Sequence, residues 1–105
     1  MNRAMTLDPK FIQLATPVLS EFGFSGIKEL VTDQLSMMIL SKIAHYESET
    51  KLYESKYKKS FEVASAQATK IGSENFELDD DLNDWRFARE SAELYRLKLQ
   101  ELQRA

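Results

Sequence analysis

Few residues in this chain have the type and spacing that chemistry requires. His45 is the sole histidine, and Glu49 follows it one helical turn later, so on a helix the two side chains share a face. An imidazole beside a carboxylate can serve a general base or contribute metal ligands, but either role needs further groups from elsewhere in the fold. Alone, the pair reads as a surface hydrogen bond. A second arrangement lies further on. Counted from Asp79, a calcium-binding loop would take ligands from Asp79, Asp81, Asn83 and Glu90. The sharp turn of such a loop needs glycine at its sixth position, where this chain has Asp84. A strong helical stripe also starts at Trp85, inside the supposed loop, so the segment is expected to be helix. There is no glycine-rich phosphate loop and no nucleophile elbow. No catalytic residue, metal or cofactor is expected, and the chain reads as a non-enzymatic protein-interaction module.

Composition narrows the partners. At 105 residues the chain is one domain, or one domain with a protruding arm, and has room for one modest core. A net charge of −3 gives no general attraction to nucleic acid or anionic lipid, so no direct nucleic-acid binding is expected. Zero cysteines exclude disulfides and thiolate metal sites. Met1 to Lys10 lacks an apolar signal segment, and the most apolar run, Leu35 to Ala44, is too short to span a bilayer. No membrane association and a cytoplasmic location are expected. The cluster Lys51, Lys56, Lys58 and Lys59 is diluted by Glu47, Glu49 and Glu54 and reads as a solvated helix end.

The elements that position these residues are helices throughout. Asp8-Pro9 is an N-cap followed by proline at the first helical position. Apolar residues then recur at helical spacing until Gly23, with Pro17 expected to kink or split the helix. Ser25 is the next cap candidate, and a long pattern runs from Ile27 to Tyr57. Ser60 caps a shorter helix through Ile71, with Gly72 as its stop. Ser73 to Asp81 shows no usable period and reads as a loop or extended arm. The last helix is expected from Asp81, with Trp85, Ala88, Ala92, Tyr95, Leu99 and Leu102 in steps of three and four. The expected fold is all-α: a small helical bundle with a long central helix and a C-terminal amphipathic helix after an acidic linker. Residues 1–72 form a helical domain with a self-association surface, and residues 73–105 form the linker and amphipathic helix.

Two segments bear on association. Met37, Met38, Ile39 and Leu40 are consecutive and therefore cover every side of their helix, which in a small domain leaves surface for a second copy. Leu35, Met37, Met38, Ile39, Leu40 and Ile43 are the expected self-association residues, and a homo-oligomer follows. Ser73 to Asp84 carries six acids, no base, and the apolar residues Phe76, Leu78 and Leu82. This composition suits a solvated hinge whose acids cap the last helix, or an acidic arm that folds onto a basic surface of another protein. In the second case Phe76, Leu78, Asp79, Asp80, Asp81, Trp85, Tyr95 and Leu99 make the contact. Phe87, Leu94 and Leu97 lie off the main seam of the last helix.

Tyr53-Glu54-Ser55-Lys56-Tyr57, then Ser60-Phe61-Glu62, an acidic gap and Asp84-Trp85 opening a helix together resemble small bacterial and archaeal proteins encoded beside toxins and regarded as antitoxin components. The resemblance covers Lys51 to Leu102. The chain departs from it at Lys58-Lys59, where those proteins often carry glycine and a hydrophobic residue. The resemblance implies an antitoxin that sequesters a small basic toxin, often an RNase. Without it, the alternative is a self-associating helical scaffold or adaptor with no toxin partner.

Overall fold

The computed structural model describes residues 7–71 and 75–105. Among them are four helices and no strand: α1 (Pro9–Glu21), α2 (Ile27–Tyr57), α3 (Phe61–Ile71) and α4 (Phe76–Arg104). The chain divides into two compact units, Met1–Met37 and Met38–Ala105, and α2 runs through both. The all-α expectation holds. No described helix is long and apolar enough to cross a membrane.

The first unit is built by its helix ends. The Asp8 carboxylate accepts the Lys10 N–H at 3.2 Å, and Pro9 takes the position where a missing N–H costs nothing. α1 does not split at Pro17; it continues through it as one helix. In the turn before Pro17 the Thr16 hydroxyl donates to the Ile12 carbonyl at 2.6 Å. The helix then stops in a left-handed turn. Gly23 has φ +87, its N–H donates to Ser20 O at 3.0 Å, and the Phe24 N–H donates to Leu19 O at 2.9 Å. Those two bonds satisfy carbonyls that the helix end would orphan, and glycine is the residue that adopts this φ without strain. At the start of α2 the expected cap is displaced by one residue. Gly26 supplies the capping carbonyl to the Leu30 N–H, while both the N–H and hydroxyl of Ser25 donate to the Glu29 carboxylate. The Ser25 hydroxyl, and after it the Ser25 amide, hold the Glu29 pKa below its ordinary value.

The second unit is organised around one side chain. Trp85 of α4 has no accessible surface, and Leu82 and Ala64 are buried with it. Three rings surround it: Tyr53 stacked at 5.8 Å, Tyr57 stacked at 6.1 Å, and Phe61 edge-on at 5.4 Å. Such offset and edge geometries match the ring quadrupoles, worth about 0.5–1.5 kcal/mol per pair beyond burial. Ala88 and Ala92 continue the stripe and are also buried, so the register of α4 is the expected one. The indole Nε1 has no acceptor among the described residues.

The start of α4 differs from the sequence reading. The helix begins at Phe76, not near Asp81, because Asn75 caps it: its side chain accepts the Leu78 N–H at 3.1 Å. Acids without apolar period hide a helix from a periodicity argument, yet Glu77 and Asp79 stand at the positive end of the macrodipole, where they stabilise it. The helix stop at Gly72 and the first residues of the acidic segment, Ser73 and Glu74, lie outside the described residues.

The turn from α2 to α3 has a backbone cost. Lys58 adopts φ 55, in the left-handed region, and Ser60 then caps α3 by accepting the Val63 N–H at 3.2 Å. A left-handed non-glycine residue costs about 1–2 kcal/mol, against roughly 0.5–1 kcal/mol of extra chain entropy for glycine. Lys58→Gly should therefore stabilise the protein by about 0.5–1 kcal/mol in urea unfolding; a lower midpoint would show that the lysine side chain supports the turn. Trp85→Ala should cost about 3–5 kcal/mol. Trp85→Phe should cost clearly less, since it keeps a ring in the box and removes an unpaired buried donor. Circular-dichroism unfolding of the two variants checks that order.

Candidate protein-interaction surface

The expected partner-binding residues fall into two groups in the structure. One group holds the second unit together. Lys56 near the end of α2 pairs with Asp81 at 2.6 Å and with Glu77 at 2.9 Å, and the Tyr57 hydroxyl donates to the same Asp81 oxygen. This clamp pins the first turns of α4 to the end of α2. The Asp81 pKa is held below the ordinary range, first by the bond from Lys56 and then by that from Tyr57. Lys56 is pushed up by Asp81 and Glu77. Tyr57 is pushed up to about 12, chiefly by burial and next by its bond to Asp81. Trp85 is fully enclosed and Leu78 packs against its cluster. Trp85 and Asp81 therefore serve the fold: the largest apolar side chain of a helical stripe goes to the core, and Asp81 is bound to a neighbouring lysine.

The other group faces outward. Phe76 is 76% exposed, and Asp79 and Asp80 are exposed beside it with no opposite charge bound among the described residues. Tyr95 is half-buried and stacks on Tyr46 at 6.2 Å, and Leu99 is half-buried. Off the seam, Phe87, Leu94 and Leu97 are exposed.

The expected self-association residues divide as well. Ile43 is buried within the chain and Ile39 is half-buried, so neither offers a free surface. Met37, Met38 and Leu40 are more than half exposed, and Leu35 is 39% exposed. Sequence reasoning missed a further surface. Most large apolar residues of α1, among them Phe11, Leu14 and Val18, are exposed, and only Leu19 is buried. The helical spacing was visible, but spacing shows which residues share a face and not whether the chain supplies a wall for it.

Three further polar features remain. His45 and Glu49 make a 3.4 Å surface pair, and no third potential metal ligand joins them among the described residues. Asp79 to Glu90 lies within α4, so its acids are spread around a helix instead of encircling an ion. An open groove of about 690 Å³ in the second unit is lined by charges from α2 and α4, with Phe61 at its wall. Half of those charges are paired in place. Arg89 pairs with Glu62 at 2.6 Å and lies over Phe61 at 4.8 Å, and Arg96 binds both Glu47 and Glu93. Of the basic cluster, Lys56 is in the clamp and Lys59 donates to Gln67. Comparison with family models, with curated proteins and with solved structures returns no match.

The clamp gives the second unit a defined pH response. A tyrosine whose folded pKa is raised contributes stability that is complete below about 10 and lost as pH rises through about 12. Asp81, with a lowered folded pKa, contributes stability present above the ordinary carboxylate value of 3.8 and lost as pH falls below it. Melting temperature should therefore fall on both flanks. Tyr57→Phe should flatten the alkaline limb, and Asp81→Asn the acid limb; unchanged limbs in both variants would mean that the clamp is not formed in solution.

Proposed function

We propose that this chain is a non-enzymatic protein-interaction module of the antitoxin type, which occupies a small basic toxin. The observation that carries the interaction reading is an imbalance. Among the described residues seven hydrophobic residues are buried, while seventeen large hydrophobic residues remain exposed. A monomer that leaves this much apolar surface in water is one that finishes its burial against another polypeptide. The toxin as partner rests on the resemblance around Tyr53–Tyr57, Ser60–Glu62 and Asp84-Trp85.

The contact runs along the outer face of the first turns of α4. Phe76 is the apolar anchor, and Asp79 and Asp80 steer and select a positive surface. Charges of this kind act mainly on association rate, and a buried aromatic anchor acts on dissociation. Removing everything beyond Ser73 is not a clean test, because it deletes Trp85 and with it the core of the second unit. Point substitutions avoid this. With the basic product of the adjacent gene as the probe, Asp79→Asn with Asp80→Asn should slow association several-fold at low salt and little at high salt. Phe76→Ala should speed dissociation by about tenfold or more, with helicity unchanged. An adjacent gene without a basic product, or a complex indifferent to all three substitutions, would overturn the antitoxin reading.

A second reading, a self-associating scaffold, is favoured by Met37, Met38 and Leu40. Three large side chains exposed within four residues of one helix suit a contact between copies. Self-association by itself is compatible with the first reading; a scaffold with no toxin partner is the alternative to it.

A further inference from the structure

We infer that α1 is the seam of a two-fold homodimer, in which it packs antiparallel against α1 of a second copy. The inference rests on the self-association reading and assigns it a surface. The first unit reaches only to Met37, and Leu19 is its one buried hydrophobic residue among those described. Units below about 40 residues rarely bury enough apolar surface to be stable alone.

The occupant is identified by charge. From Phe11 to Ser20 the helix carries no charged residue at all. A two-fold contact places a surface against its own copy, so a like-charged centre would repel itself, and a neutral one is what such a contact requires. At the two ends of this neutral stretch stand Lys10 and Glu21, both exposed and neither in an ion pair among the described residues. Each is at the wrong end of its own helix: a cation near the positive terminus and an anion near the negative one. An antiparallel neighbour corrects both. With the two-fold axis midway between Ala15 and Thr16, Lys10 lies opposite Glu21 of the other copy, twice per dimer. Each charge then sits at the helix end that stabilises it.

The side chains are on the face this requires. At about 100° per residue, Lys10, Leu14, Val18 and Glu21 fall along one strip of α1, with Phe11 beside it. Leu19 falls on the far side of the helix, about 180° from Lys10 by the same count, and is buried within the chain. Leu14 is 65% exposed, Phe11 53% and Val18 49%. One short helix face falls below the roughly 800 Å² per partner of a standard interface. Val31 and Leu35 of α2, exposed in the same unit, supply further apolar area.

The test is a zero-length carbodiimide crosslink on a mixture of isotope-labelled and unlabelled full-length protein. Within one helix Lys10 and Glu21 are about 16 Å apart, eleven residues at 1.5 Å each, so they cannot be coupled in the same chain. The expected result is a dimer by sedimentation at micromolar concentration, with a mixed-label crosslink joining Lys10 to Glu21. Lys10→Glu and Glu21→Lys should each weaken the dimer about tenfold, since both end pairs become repulsive. The double exchange should restore most of the lost affinity, a rescue that a purely structural role for either residue would not give. A monomer with normal helicity overturns both the seam and self-association. A dimer that lacks the crosslink and ignores the charge exchanges overturns the α1 seam alone, and leaves the exposed methionines of α2 as the contact.

Discussion

Everything in the second unit is arranged around the enclosure of Trp85. No single neighbour could cover an indole on all sides, so the rings are drawn from two other helices: Tyr53 and Tyr57 from the end of α2, and Phe61 from the start of α3. The geometry explains the corner between those helices. The chain must reverse within three residues if Phe61 is to reach the indole edge, and the left-handed backbone at Lys58 and the cap at Ser60 accomplish that. The outer side of Phe61 is in turn covered by the guanidinium groups of Arg86 and Arg89. A cation over an aromatic face keeps its own hydration while shielding the ring, an efficient cover for a core this thin.

The charged residues divide by what they face. Lys56, Asp81 and Glu77 join two helices, and Arg96 reaches Glu47 across from α4 to α2. These pairs are largely exposed and individually modest in energy, so their role is to set which faces meet. Asp79 and Asp80, between Glu77 and Asp81 in the chain, are in no ion pair among the described residues. An acidic segment that looks uniform as a string is thus two populations on a helix, one turned inward to a lysine and one turned to solvent.

Most of the helical layout was legible in the residues. Asp8-Pro9, Gly23 and Ser60 are local signals that act through one or two hydrogen bonds, and each fell where its chemistry places it. The stripe from Trp85 to Ala92 was legible because only a core makes that spacing useful. The beginning of α4 was not. Asn75 caps it, but the residues that follow have charge instead of period, and the neutralising Lys56 lies far back in the sequence. The roles of Trp85 and Ile43 were misjudged for a related reason. A pattern gives the direction of a side chain around its helix, whereas burial depends on what another helix brings to that direction. The proposed interaction surface was legible only as composition, and the neutral face of α1 needed coordinates to be seen as exposed.

The distribution of aromatic side chains has an optical consequence. The sole tryptophan and all four tyrosines lie at position 46 or beyond, and none belongs to the first unit. Tyrosine and tryptophan absorbance and fluorescence therefore report on the second unit. A thermal or denaturant curve recorded by either would follow the Trp85 enclosure and be blind to α1. Far-ultraviolet dichroism, which counts helix wherever it stands, weighs both halves. Disagreement between the two signals would then be a property of the chain's architecture, with no single midpoint or unfolding free energy to assign to the whole.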